Sequence, residues 1–295
     1  MTDAVWVFAI GAIAAACLGV ADFFGARASK SIGPITAAFF VQAGGTVAYC
    51  AWYLLDGGGL PRVSSATWAY SLGGALLVGA GMCTLYLAFE HGPVSLASPL
   101  SAAYPLVTTA VGVAVFHASL SLGECIAVVV IVVGIMAASG LFGVAKSERR
   151  ISAGPRLALL TTLLWGLAYP LLGRAIAAAG WEAVTLIQLI AMVPVLGVML
   201  AIRREQEGLT ATVAAACLRN PFIIAAGILQ MLAVLAINLG FGRDQAAGTM
   251  VVATSSAYPV VTMLLALRHF DERRDVIALT GAGVTIAGVL ALHVL

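Results

Sequence analysis

Charge is what this sequence has least of. Only 9% of its 295 residues are Asp, Glu, Lys or Arg, 62% are apolar, and the mean hydropathy is +1.06. A water-soluble domain carries roughly a quarter charged residues, so the chain lacks the polar surface that keeps a globule in water. A net charge of +2 says nothing about nucleic acid in a chain of this composition, and no nucleic-acid partner is expected. The five cysteines (Cys17, Cys50, Cys83, Cys125, Cys217) include no CxxC pair and are odd in number. They read as small hydrophobes, with no metal site or disulfide framework. The P-loop pattern GxxxxGK[ST] is missing, which removes support for nucleotide-driven pumping. Paired catalytic groups at matching depth are also missing, so neither an enzyme nor a cofactor is expected. The opening MTDAVW has no basic n-region, so the first apolar run is expected to remain as a span, although IAAAC hints at a lipoprotein cleavage site.

What the chain has in quantity is apolar length. A spanning helix needs about 20 apolar residues, and ten runs qualify: 4–26, 32–55, 67–90, 94–117, 121–143, 154–179, 181–202, 220–241, 246–268 and 275–295. The connections are too short for a separate soluble domain. The expectation is an all-α integral membrane protein, bound by lipid on its outside.

The sequence is also written twice. SAAYPLVT at 101–108 returns as SSAYPVVT at 255–262, and at that offset of 154 residues 96–137 align with 250–291 without a gap. Glu90 falls opposite Asp244. At an offset of 147, Gly19, Ala21, Arg27 and Gly33 fall opposite Gly166, Ala168, Arg174 and Gly180. The halves are therefore 1–145 and 154–295, joined by a basic connection at 146–153. Each half holds five spans, and an odd number forces the second half to enter the membrane from the opposite side. The expected architecture is two inverted five-helix repeats around a central cavity, an arrangement that places a transported substrate near the midplane.

Interrupted helices at corresponding positions point to such a site. Pro105 and Pro259 are expected to kink the fourth and ninth spans, freeing backbone carbonyls that need new partners. Ser101, Tyr104 and Thr108, and likewise Ser255, Tyr258 and Thr262, share one helical face with the proline. A packing kink inherited by duplication explains the agreement between copies but gives no reason for a hydroxyl-rich face at mid-depth. Pro170 interrupts the sixth span.

Trp and Tyr gather at membrane interfaces, as Trp6, Trp52, Trp68 and Trp181 do. Trp165, Tyr169, Tyr104 and Tyr258 lie instead at mid-depth, with Tyr86 somewhat off-centre. Buried Trp and Tyr need hydrogen-bond partners, which a wet cavity supplies, so these five are candidate lining residues. Gln42, Gln188, Gln230 and Asn238 place amides inside spans, either facing the cavity or tying helices together; Gln230 and Asn238 are cavity candidates. On this segmentation no Asp, Glu, Lys or Arg lies centrally in a span, and Asp22, Glu90, Glu124 and Asp244 sit near ends. Such a site suits a zwitterion or soft cation resting on aromatic faces better than a polyanion.

Twelve of the fifteen Lys and Arg lie on the side bearing KSERR (146–150). The positive-inside rule places that side in the cytoplasm and both termini outside; termini in the cytoplasm are the alternative. Small-xxx-small pairs, Gly134 with Ala138 and Gly283 with Ala287, are expected to give the fifth and tenth spans faces that permit close packing. GGALLVGAG (73–81) is expected to admit a neighbour to the third.

YLAFEHGPVSLASPLSAAYPLVT (86–108), the glycine-bearing fifth span and their echoes resemble the drug/metabolite transporter superfamily, in particular its ten-helix EamA-domain exporters. The mid-helix aromatics are similar to those of YddG-type aromatic amino acid exporters. The resemblance implies a monomeric exporter in the bacterial inner membrane, working by alternating access, with Tyr86, Tyr104 and Trp165 as cavity residues. Amino acids and related metabolites would be its substrates; lipophilic cations are the alternative, and a non-transporting receptor or scaffold is the reading from another class. Two departures stand out. The GER-like start of each final helix is DERR (271–274) in one half but HASL (117–120) in the other. The mid-helix glutamate of the small multidrug-resistance cousins has no counterpart here.

Overall fold

The computed structural model describes residues 3–91, 97, 100–117, 120–138, 153–206, 208–269 and 276–292. All but Ala153 of the basic connection 146–153, the DERR stretch, and residues 118 and 119 of HASL lie outside these. Among the described residues every regular element is a helix: α1 (Asp3–Ile32), α2 (Pro34–Leu55), α3 (Ser65–His91), α4 (Tyr104–Ala114), α5 (Leu122–Ala138), α6 (Ala153–Ala179), α7 (Trp181–Arg203), α8 (Ala211–Arg219), α9 (Pro221–Arg243), α10 (Gln245–Ser255), α11 (Tyr258–His269) and α12 (Val276–Leu292). Six helices, α1, α2, α3, α6, α7 and α9, are long and apolar enough to cross a bilayer. Shorter apolar helices accompany them, which makes this a multi-pass membrane protein.

Several boundaries differ from those expected of the sequence. The fourth and ninth spans are each broken rather than kinked. α8 lies in the connection between the expected seventh and eighth spans. α1 runs to Ile32 instead of ending near 26, because nothing between Arg27 and Ile32 breaks a helix. The stop comes at Gly33, whose φ of 90° is left-handed and costs little only without a Cβ. Gly180, its repeat counterpart, has φ 82° and ends α6 in the same way.

The halves pack by exchange. α3 lies on α6 as α9 lies on α1, and α2 lies on α9 as α7 lies on α3. Contacts fix the directions. Thr84 meets Thr161 while Gly74 meets Leu172, so α3 and α6 run antiparallel. Phe24 meets Phe222 while Trp6 meets Arg243, so α1 and α9 do likewise. The expected close approaches in α3 are present, with Gly74 against Leu172, Gly79 against Val195 and Gly81 against the Trp165 ring. Gly134 packs on Thr285 as a small residue should. Gly283 faces open space, however, and Gly288 makes the return contact with Ile131; the helix rotation that buries Thr285 turns Gly283 and Ala287 outward.

Candidate functional site

The site is built on the two broken spans. Ser101 is still helical, Ala102 and Ala103 form a turn, and α4 restarts at Tyr104 with Pro105 in its first turn. α10 ends at Ser255, Ser256 and Ala257 form the turn, and α11 restarts at Tyr258 with Pro259. The backbone bonds match. Ala103 N donates to Leu100 O and Leu106 N to Ala103 O at 3.3 and 3.1 Å; Ala257 N donates to Thr254 O and Val260 N to Ala257 O at 3.2 and 3.0 Å. Proline has no N–H to return to the residue four back and is suited to a first helical turn. Pro105 and Pro259 therefore start helices here. Pro170, by contrast, sits inside a continuous α6.

Across the break each half grips the other reciprocally. The Ser101 and Tyr258 hydroxyls are hydrogen-bonded at 3.2 Å, and the Tyr104 hydroxyl donates to Ser255 Oγ at 3.3 Å. Ser255 Oγ in turn donates to Val252 O at 2.9 Å. Because Ser101 corresponds to Ser255 and Tyr104 to Tyr258, the two bonds are one contact seen twice, the signature of a two-fold relation. The same exchange recurs one turn along. Thr108 donates to Gly166 O at 3.3 Å and Thr262 to Gly19 O at 3.2 Å. All four residues of the inner latch are buried, with at most 2% exposure. These hydroxyls meet one another in a closed contact.

One side of the latch is aromatic. Tyr104 packs edge-on against Trp165 with centroids 5.6 Å apart, and against Tyr169 at 5.4 Å. Trp165 is half-buried, and its indole N–H donates to Val78 O at 3.1 Å, so its partner is a backbone carbonyl of α3. The Tyr86 hydroxyl reaches α1, 3.0 Å from where a Cβ on Gly25 would stand. Among the expected lining residues, then, Ser101, Tyr104, Ser255, Tyr258, Trp165 and Tyr169 come together.

The amides do not join them. Asn238 Nδ2 donates to Thr185 Oγ1 and Gln188 Oε1, both at 2.8 Å, tying α9 to α7. Gln42 Nε2 donates to Leu189 O at 3.3 Å and ties α2 to α7. Gln230 is half-buried on α9 and has no hydrogen bond to the latch among the described residues. The sequence echo pairs Gly19 with Gly166 without showing a role for either; both are carbonyl acceptors in the interface and sites of close approach. What the echo leaves out is that each glycine meets a threonine of the opposite half.

Polar recesses lie at opposite ends of the bundle. One of about 490 Å³ is lined by Ser29, Gly33, Glu90, Arg203 and Gln206. The other, about 620 Å³, is lined by Tyr53, Arg62, Ser64, Thr67 and Glu182. At the first, Arg203 holds Glu90 in a two-pronged ion pair at 2.8 and 2.9 Å. Asp244, the repeat counterpart of Glu90, caps a helix instead, its Oδ1 accepting from Ala247 N at 2.7 Å at the start of α10. Among the described residues no group of His, Cys, Asp and Glu could hold a metal ion.

Helices of spanning length, a doubled half and an interlocked polar contact between broken spans define a multi-pass membrane protein of transporter type. The chain belongs to the EamA-like transporter family, which matches residues 5–140 and again 153–293. Members of that family are membrane transporters of small molecules. Among solved structures, the crystal structure of a protein 15% identical to this chain superposes with a TM-score of 0.76, covering 97% of each chain. At that identity the likeness concerns the fold. No curated protein matches.

Proposed function

We propose that the protein exports amino acids, aromatic and other neutral ones, together with related small metabolites, from the bacterial cytoplasm across the inner membrane. The observation that carries this reading is the reciprocal Ser101–Tyr258 and Tyr104–Ser255 contact. It joins two broken spans beside an aromatic group of substrate-like size. The two halves insert in opposite senses, as the antiparallel α3–α6 and α1–α9 pairings support. The broken spans then meet near the midplane, between recesses that open towards opposite faces.

Interhelical hydrogen bonds in membrane proteins average about 0.6 kcal/mol. Two of them hold the latch with on the order of 1 kcal/mol, an amount that a bound substrate can replace. Opening on one side exposes Tyr104, Tyr258, Tyr169 and Trp165 to a side chain of the substrate. The serine hydroxyls are left for its polar groups. Rocking of one half against the other moves the opening from face to face. The basic side faces the cytoplasm, and one chain contains the whole site, so a monomer suffices.

The test is counterflow in proteoliposomes with labelled phenylalanine, leucine and glutamate, with and without a pH gradient. Saturable exchange of the neutral amino acids is expected. Absence of exchange for every amino acid, or flux confined to a quaternary ammonium compound, would overturn the reading.

A further inference from the structure

The two-fold relation makes its exceptions informative. In the register that matches Gly19 with Gly166 and Ala21 with Ala168, Asp22 falls opposite Tyr169. In the second half, Gly166 is pressed against Tyr104 and Val107, and Tyr169, three residues on, packs on Tyr104. In the first half, Gly19 is pressed against Tyr258 and Val261, and the residue three on is Asp22. Residues three apart share a helical face, so a carboxylate occupies the place that a tyrosine fills across the axis.

A second exception lies beside the first. Tyr86 falls opposite Gly240, and its hydroxyl comes up to Gly25, again three residues from Asp22. The Asp22 carboxylate is within electrostatic reach of both the Tyr86 and the Tyr104 hydroxyls.

Asp22 is also deeper than the sequence alone suggests. With α1 running to Ile32, it lies ten residues from the helix end and seven inside the spanning stretch Ala4–Ser29. It is half-buried, and among the described residues no Lys or Arg forms an ion pair with it. Arg27, further along the same helix, lies over the Phe222 ring at 4.8 Å. An ionisable side chain within a spanning helix is expensive and by default functional.

We propose that Asp22 is the cation-recognition group of the transport site, receiving the substrate's ammonium against the ring faces and hydroxyls of Tyr86 and Tyr104. This rests on the reading of that site as a transport site and adds the substrate class: compounds with a free ammonium. It also gives the site a direction. A perfectly two-fold site cannot orient a zwitterion, whereas one with Asp22 on α1 and Tyr169 on α6 takes the ammonium towards α1 and the side chain towards α6. Asp22 lies on the Glu90–Arg203 side of the latch, which is the side of the basic connections.

The test is binding to the purified protein in lipid nanodiscs, measured calorimetrically, with three probes of similar shape: phenylalanine, phenethylamine and the uncharged 3-phenyl-1-propanol. Asp22→Asn should weaken phenylalanine and phenethylamine at least tenfold, with the alcohol changed less than twofold. Asp22→Glu should recover part of the loss. Unchanged amine binding in Asp22→Asn, or equal loss of amine and alcohol, overturns the proposal. If Asp22→Asn does not fold, Asp22→Glu decides: retained preference for amine over alcohol supports the assignment and loss of that preference overturns it. Counterflow separates this proposal from the one it rests on. A wild-type protein that binds phenethylamine through Asp22 but moves no amino acid refutes the export reading alone. One that moves phenylalanine equally well as Asp22→Asn refutes this assignment alone, and one that binds no probe refutes both.

Discussion

Thr108 donates to the carbonyl oxygen of Gly166 at 3.3 Å, and the bond is answered by Thr262 on Gly19 at 3.2 Å. Each joins a broken span of one half to the first helix of the other. If the two are equivalent, removing either donor without changing side-chain shape should have the same sign of effect. Thr108→Val and Thr262→Val should each cost about 0.6 kcal/mol, measured as a fall in unfolding midpoint in detergent. Stability untouched by both replacements would contradict the equivalence.

Trp165 bonds Val78 O and packs edge-on against Tyr104. Trp165→Phe keeps most of the packing and loses the hydrogen bond. Trp165→Ala loses both, at a cost below the roughly 3–5 kcal/mol of a fully buried tryptophan, because this one is only half-buried. Counterflow should be reduced moderately for the first variant and strongly for the second, more for phenylalanine than for leucine. Equal rates for all three proteins would remove Trp165 from the site.

Gly227 and Gly45 mark a backbone-to-backbone approach between α9 and α2. A Cβ on Gly227 would stand 2.7 Å from Val41 O, and one on Gly45 2.6 Å from Gly227 O. Backbone cannot rotate aside as a side chain can, so Gly227→Ala should cost about 1–3 kcal/mol. Gly44→Ala, with nothing within 4 Å, should be neutral or slightly stabilising, since alanine is the better helix former. Thermal unfolding of the two variants side by side checks the contrast.

The Glu90–Arg203 pair ties the ends of α3 and α7, with Glu90 about one-third exposed. Solvent screening limits its worth to at most about 1 kcal/mol. Glu90→Gln should lower the unfolding midpoint slightly, and the charge-exchanged protein, Glu90→Arg with Arg203→Glu, should restore it. The difference should shrink as salt rises through the range where surface charges are screened. A difference that grows with salt would show that the pair acts otherwise.

Much of the architecture is legible because it is written twice. Hydropathy marks the long helices, and the echo at an offset of 154 residues picks out the two spans that break. Three features are not legible, each for a physical reason. Whether a proline kinks a helix or starts a new one depends on the residues before it: the turns at Ala102–Ala103 and Ser256–Ala257 place Pro105 and Pro259 at helix starts, while Pro170 stays internal. The depth of Asp22 depends on where α1 stops, and the stop at Gly33 is a matter of backbone conformation that hydropathy does not register. The partner of each hydroxyl depends on how the halves cross. Ser101 and Tyr104 share a face with Thr108 in the sequence, yet their partners, Tyr258, Ser255 and Gly166, come from the other half. The amides show the same effect in reverse, because Asn238 looks like a cavity residue until helix rotation brings it onto Thr185 and Gln188.

The central claim is that the buried latch opens to water during transport, and thiol labelling tests it most directly. Ser101→Cys and Ser255→Cys, each in a chain whose five native cysteines are replaced, would be exposed in proteoliposomes to a small charged thiol reagent. Both positions should react during exchange, and saturating phenylalanine should slow the reaction. Failure of both to react in a protein that still carries out exchange would contradict the account, because the substrate would then be crossing by a route that never passes the latch.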